Sequence, residues 1–228
     1  EALYALEQAD VIVGYTTYVK LLGERFQGKE LRATSMRQEV ERCRLCFSEA
    51  EKGRTVALIC SGDAGIYGMA SLMLEIGSAY PHTELSVIAG VTAASSGAAV
   101  LGAPLGHDFC SVSLSDLLTP WETIEKRLRA AAEGDFVIVL YNPSSHKRKD
   151  YLKKACRILL RSVEGDRVCG YVENIGRDGT KAEICTLEEL QDREVSMFTT
   201  VFIGNSGSEV IDGRFVTKRG YQCDKFPH

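Results

Sequence analysis

No stretch of this sequence approaches the roughly 20 consecutive apolar residues of a membrane span, and no secretory signal is visible at its start. A basic excess is missing too. The 27 Lys and Arg against 31 Asp and Glu leave a net charge of -4 with both signs interspersed, which argues against a general nucleic-acid binder. An anionic ligand must therefore meet locally gathered Arg and Lys. Neither a Gly-x-Gly-x-x-Gly fingerprint nor a P-loop occurs, and there is no internal repeat or low-complexity segment. The eight cysteines form no framework: several lie inside apolar strand-like runs, as reduced thiols used as small hydrophobes do. The one suggestive spacing, Cys43-x-x-Cys46, falls in a charged helical stretch with no second Cys or His pair to complete a site. No metal is expected, and the cysteine usage points to the cytoplasm.

What is present is an ordinary globular composition, 45% hydrophobic and 25% charged over 228 residues, enough for one large domain or two small ones. Apolar runs alternate with helical periodicity through the first half. Strands are expected at 10–14, 55–60 and 85–88, and helices at 1–9, 15–22, 37–52, 65–80 and 92–101. Gly53 is the expected stop of the third. After Phe109 the pattern changes. A half-exposed strand at 110–114 and a connector at 115–120 lead to a helix from Trp121, then to strands at 136–141, 167–173, 181–185 and 200–203. Helices fall at 149–162 and 187–191, and Asp212-Gly213 suits a hairpin turn. The expected architecture is α/β with two lobes: a parallel-sheet N-terminal domain over 1–114, a mixed-sheet C-terminal domain over 115–228, and a cleft between them.

The most informative segment is Ser61-Gly62-Asp63-Ala64-Gly65-Ile66-Tyr67-Gly68, directly after the apolar run Val56–Cys60. A strand that ends in such a turn opens a parallel sheet to a ligand, because glycine lets the backbone approach closely. With one acid and no lysine, the turn reads as a seat for a neutral or cationic small molecule. Three more segments share its design, pairing small residues with hydrogen-bonding groups at strand ends: 89–95 (Ala-Gly-Val-Thr-Ala-Ala-Ser), 140–143 (Leu-Tyr-Asn-Pro) and 173–177 (Glu-Asn-Ile-Gly-Arg). Each alone reads equally as a plain turn with a helix cap, Thr92 and Asp63 in particular.

Taken together, 62–68, 89–93, Gly102-Ala103-Pro104-Leu105 and Tyr141-Asn142-Pro143 resemble the S-adenosylmethionine-dependent tetrapyrrole methylases along nearly the whole chain. Val13-Gly14-Tyr15, Gly106-His107-Asp108-Phe109, the stretch 113–121 and Arg219-Gly220-Tyr221 are similar to the branch that methylates a corrin precursor and promotes contraction of its macrocycle. The resemblance implies S-adenosylmethionine as cofactor, S-adenosylhomocysteine as product, a tetrapyrrole substrate and a homodimer, with neither nucleic acid nor membrane as partner. It further implies that Gly62, Asp63 and Ile66 line the amino-acid and ribose end of the cofactor. Thr92 and Ala93 would touch it from the next turn, and Tyr141, Asn142, Gly176 and Thr200 would close over the adenine. The family normally opens with a strand and a Gly-x-Gly-Pro-Gly loop ahead of the helix at 1–9; this sequence does not contain them, and a truncated chain is the expectation.

Methyl transfer asks mainly for alignment, whereas ring contraction requires proton transfers. His107 and Asp108 are the acid/base pair on offer, since imidazole is the side chain suited to proton transfer near neutral pH. Ser113 and Asp116 are further catalytic candidates, and Ser115 is a candidate for binding the substrate. The precursor's acetates and propionates call for cations, and Arg37, Lys147, Arg148, Lys149 and Arg177 stand nearest the expected cleft loops. The basic run 146–149 reads equally as a solvated helix start.

Overall fold

The computed structural model describes residues 1–145 and 148–221, and the chain divides into two compact units, Glu1–Thr92 and Ala93–His228. The first unit contains α1 (Ala2–Gln8), β1 (Val11–Tyr15), α2 (Thr16–Lys20), a 3-10 turn at Glu24–Phe26, β2 (Glu30–Thr34), α3 (Glu39–Ala50), β3 (Val56–Ile59) and α4 (Ala70–Gly77). The three strands form a parallel sheet in the order β2-β1-β3. Val11, Ile12 and Val13 of the central strand are wholly buried, as an unbroken apolar run in a parallel strand requires. Val11 and Val13 pack on Cys43, Cys46 and Phe47 of α3 and Met73 of α4, while Ile12 packs on Ala9 and Phe26. The spacing of Cys43, Cys46 and Phe47 puts all three on one helical face. Gly53, at φ 81, ends the segment as expected.

The second unit contains α5 (Ala93–Leu101), β4 (Gly102–Ala103), β5 (Phe109–Ser113), α6 (Trp121–Glu133), β6 (Val137–Tyr141), α7 (Tyr151–Leu159), β7 (Val168–Glu173), β8 (Lys181–Thr186), α8 (Leu187–Leu190), β9 (Thr199–Ile203), β10 (Ser208–Ile211) and β11 (Arg214–Thr217). Its main sheet is mixed, in the order β5-β6-β9-β7-β8, with β5 and β6 parallel and the other pairs antiparallel. Residues alternate across this sheet. Ile138 and Leu140 face a core with α6, α7 and α8, while Val139 packs with α5 residues Ala94, Ala98 and Leu101 and with Phe202. The small side chains of α5 permit that approach: a Cβ at Gly97 would stand 2.9 Å from the Phe202 ring. A second sheet runs β10-β11-β4, and its hairpin turns on Asp212 (φ 47) and Gly213 (φ 72), the left-handed pair of a type I′ turn.

Three features differ from the sequence expectation. The division of the chain falls at Thr92, ahead of α5, whereas the sequence puts the boundary after Leu114; α5 packs on β7, β8 and β9, and β5 pairs with β6. Residues 85–88 form no ladder: Leu85 enters the core under α3, Val87 is exposed, and the segment is tied at Gly90 instead. The helix expected from Gly65 begins at Ala70, because Tyr67 takes a left-handed φ of 53 and breaks the preceding turn.

Candidate active site

In the first unit, the turn after β3 is built around one carboxylate. Asp63 Oδ1 accepts from the Gly65 amide and Oδ2 from the Gly90 amide, each at 2.8 Å. These bonds, with Gly90 first and Gly65 second, hold the Asp63 carboxyl below the ordinary carboxylate range. Glycine at 90 is obligatory, since a Cβ there would lie 2.0 Å from the Gly62 carbonyl oxygen. Gly68 is equally confined, its Cβ position being 2.4 Å from the Ala64 carbonyl oxygen. Asp63 thus clips the turn after β3 to the irregular segment at Gly90. What the turn offers outward is glycine backbone and the exposed side chains of Ile66 and Tyr67. Arg37, exposed and at φ 69, sits in the turn beyond β2, where its amide donates to Glu39 Oε1 at 3.1 Å.

In the second unit, the carboxyl ends of β5, β6 and β7 and the start of β9 share one edge of the sheet, as their register requires. Ala93 opens α5, directly after Thr92, and the next amide, of Ala94, donates to the Tyr141 hydroxyl at 2.8 Å. Asn142, in the left-handed region at φ 54, donates from Nδ2 to Ser113 Oγ at 2.9 Å, and the Ser115 amide donates to the same oxygen at 3.3 Å. Arg148 Nη1 donates to Ser115 Oγ at 2.8 Å and to Asp116 Oδ1 at 3.2 Å, and the Tyr151 hydroxyl donates to Asp116 Oδ2 at 2.5 Å. The Tyr151 hydroxyl, followed by Arg148, keeps the Asp116 carboxyl low, and Asp116 in turn pushes the Tyr151 hydroxyl up. Both oxygens of Asp116 are therefore engaged. Ser113 accepts two bonds and keeps its hydroxyl hydrogen to give.

Ser113, Ser115, Asp116, Tyr141 and Asn142 are brought together, as the sequence suggests. Thr200 is buried on β9 opposite Val172. Gly176 (φ 69) and Arg177 lie in the loop after β7, with the Arg177 guanidinium 5.1 Å over the Phe198 ring. His107 and Asp108 stand apart, at the amino end of β5, so the strand separates them from Ser113 by roughly 15–20 Å at about 3.3 Å per residue. His107 Nδ1 accepts from the Asp108 amide at 2.9 Å and is 3.7 Å from its carboxylate, with both side chains mostly exposed. Lys147 lies outside the described residues. Tyr151, the first residue of α7, joins the Asp116 network without any motif in the sequence to mark it. Cys43 and Cys46 are buried and their thiols pushed up to about 11 and about 12 by desolvation, and no metal-binding cluster occurs among the described residues.

Comparison with known proteins bears on the whole chain. The sequence model of the Tetrapyrrole (Corrin/Porphyrin) Methylases matches residues 1–191. The chain is 45% identical to the probable cobalt-factor III C(17)-methyltransferase of Salmonella typhimurium, covering 97% of this chain and 92% of that protein. It is 43% identical to the cobalt-factor III methyltransferase of Priestia megaterium, across 96% of this chain, but spans only 41% of that relative's length. A precorrin-3B C(17)-methyltransferase from a Sinorhizobium species is 35% identical over 93% of this chain and 85% of its own. Among solved structures, the methyltransferase CobJ aligns at a TM-score of 0.87 and 36% identity, covering 95% of this chain and 91% of its own. Cobalt precorrin-4 methyltransferase shares the fold at a TM-score of 0.73 and 20% identity, covering 89% of this chain and 86% of its own.

Proposed function

Because the chain belongs to the tetrapyrrole (corrin/porphyrin) methylases, we propose that it transfers a methyl group from S-adenosylmethionine to ring carbon 17 of cobalt-factor III, with ring contraction. The observation that carries this reading is the near-full-length match to the Salmonella relative, 45% identical over 97% of this chain. The cobalt-bearing substrate is preferred to precorrin-3B because the relatives named for it reach 41–45% identity, against 35% for the precorrin-3B enzyme. The proposal includes a cytoplasmic homodimer.

The glycine turn fits a ligand of this kind. Its glycines at 62 and 65 leave the backbone bare, and Asp63, held as a carboxylate, adds negative charge near a cationic sulfonium. The cofactor supplies an activated methyl group. The chain's residues supply position, and proximity alone lowers such a barrier by roughly 7–11 kcal/mol when the reacting atoms are well aligned. Asp63 sets the spacing of the turns at 62–68 and 90–93. Tyr141 and Ala94 hold the start of α5, and Ser113 offers its hydroxyl hydrogen at the sheet edge. Asp116, with both oxygens engaged, acts as a positioning residue for Ser115 and Arg148. In His107, the bond accepted at Nδ1 leaves the neutral ring's hydrogen on Nε2, which makes that atom a hydrogen-bond donor.

The test is to mix the protein with S-adenosylmethionine and cobalt-factor III and to follow product mass and the visible spectrum. A gain of one methyl mass with a changed spectrum is expected; no gain with cobalt-factor III, or a gain only with another tetrapyrrole, overturns the reading.

A further inference from the structure

Helix α3 buries two charged side chains two turns apart, and their surroundings differ in kind. Glu49, 1% exposed, is met by three cations: Arg32 at 3.1 Å, Lys52 at 2.7 Å and Arg54 at 2.8 Å. Arg42, 4% exposed, meets no carboxylate within ion-pair distance among the described residues. Its partners are neutral. Nε donates to Thr34 Oγ1 at 2.6 Å, Nη2 to the Ser35 carbonyl at 2.9 Å, and Nη1 faces the Met69 sulfur at 3.7 Å. The guanidinium carbon is 5.9 Å from the centre of the Tyr15 ring. A guanidinium carries five N–H donors, so these contacts leave two of them unused, and one of the three used ends on a poor acceptor. A buried charge without an opposite charge is unfavourable, which is why buried ions are normally paired.

The position of Arg42 says where the opposite charge comes from. Tyr15 ends β1, Thr34 ends β2, and Cys60, whose thiol feels the Arg42 charge, follows β3. Arg42 therefore lies at the carboxyl edge of the parallel sheet, the edge at which open α/β sheets receive ligands. It supports, through the Ser35 carbonyl, the turn that carries exposed Arg37. The acids of this corner are turned to other partners: Glu39 Oε1 accepts from the Arg37 amide, Asp63 accepts from the amides of Gly65 and Gly90, and neither forms an ion pair with Arg42 among the described residues.

We propose that Arg42 is the resident half of an ion pair that a carboxylate of the bound ligand completes. The carboxylate is either that of the cofactor's amino-acid end or an acetate or propionate of the tetrapyrrole, so the inference rests on the function proposed above. Arginine suits the task, since its fork pairs a carboxylate bidentately.

The experiment compares wild type with Arg42→Gln and Arg42→Lys, each first checked for native near-ultraviolet circular dichroism. Three probes are titrated: S-adenosylhomocysteine, its decarboxylated counterpart, and uroporphyrin as a stable polycarboxylate tetrapyrrole. If the cofactor supplies the carboxylate, Arg42→Gln weakens S-adenosylhomocysteine about tenfold or more while the decarboxylated compound binds all three proteins alike. If the tetrapyrrole supplies it, the loss moves to uroporphyrin and S-adenosylhomocysteine is unchanged. Arg42→Lys, which keeps the charge but not the fork, falls between, and it carries the test if Arg42→Gln does not fold. Folded variants that bind every probe like wild type overturn the inference, as does an equal loss for S-adenosylhomocysteine and its decarboxylated form. Wild-type protein that binds none of the probes would instead remove the functional reading beneath it.

Discussion

The two strand-end sites are held together by different materials. After β3, a single carboxylate gathers backbone amides from two turns, and the surface it leaves is glycine backbone. After β5 and β6, side chains hold one another: Asn142 to Ser113, Arg148 to Ser115 and Asp116, Tyr151 to Asp116. The first arrangement depends on the absence of side chains at a few positions. The second depends on the identity of those present. A backbone-lined turn is therefore sensitive to any added side chain, and a side-chain network to the exchange of any one partner.

The largest expected effect breaks the first arrangement. Gly90→Ala would drive a Cβ to within 2.0 Å of the Gly62 carbonyl, a backbone atom that cannot yield cheaply. Destabilisation at or beyond the upper end of roughly 1–3 kcal/mol is expected, with loss of S-adenosylhomocysteine binding, both read by thermal melts with and without that ligand. Gly97→Ala supplies the contrast: its clash is with the Phe202 and Ile175 side chains, at 2.9–3.0 Å, and costs less because side chains can shift. Equal losses for the two variants would break the distinction.

Next in size is Ser113→Ala, which leaves the Asn142 amide and the Ser115 amide without their acceptor. A cost of about 1–2 kcal/mol is expected from denaturant unfolding, with the methyl-transfer rate falling more than S-adenosylhomocysteine affinity. A fall in cofactor affinity alone would assign Ser113 to the cofactor instead.

A smaller effect sits in the acid range. The folded Asp63 carboxyl is held below its ordinary value by the Gly90 and Gly65 amides. Its contribution to stability is therefore present above the unfolded carboxyl's pKa and lost as pH falls through the lowered folded value. Asp63→Asn should flatten that part of the melting-temperature profile and leave the neutral-to-alkaline part parallel to wild type. A profile that keeps the same acid slope would show that the clip carries no charge-dependent stability. Asp116→Asn should act in the same direction through the loss of the Tyr151 and Arg148 bonds.

The smallest expected signal is chemical. Cys43 and Cys46, pushed up to about 11 and about 12 by burial, should label slowly with a thiol reagent at mildly alkaline pH in the folded protein and rapidly once unfolded. Fast native labelling of either would contradict their packing against Val11 and Val13.

Much of this is legible in the sequence. Buried strands such as Val11–Tyr15 and Val137–Tyr141 announce themselves as apolar runs, and the Asp212-Gly213 turn as a dipeptide. Strand β2 was not legible, because Glu30-Leu31-Arg32-Ala33-Thr34 is a half-exposed edge with two charges. Its place is set by pairing with Val11–Tyr15, a contact the local sequence does not encode. At the site, Asp63 stood out as a residue but not in its role, since the amide it clips is 27 positions away. Likewise His107 and Ser113, near in sequence, are parted by the extended strand between them, and the burial of Arg42 is hidden in a charged helix whose pattern reads as surface.

The central claim is the position of the new methyl group. With isotope-labelled S-adenosylmethionine and cobalt-factor III, nuclear magnetic resonance of the product should place the labelled methyl on ring carbon 17 of a contracted macrocycle. A label on any other ring carbon, or an unlabelled macrocycle, would contradict the account.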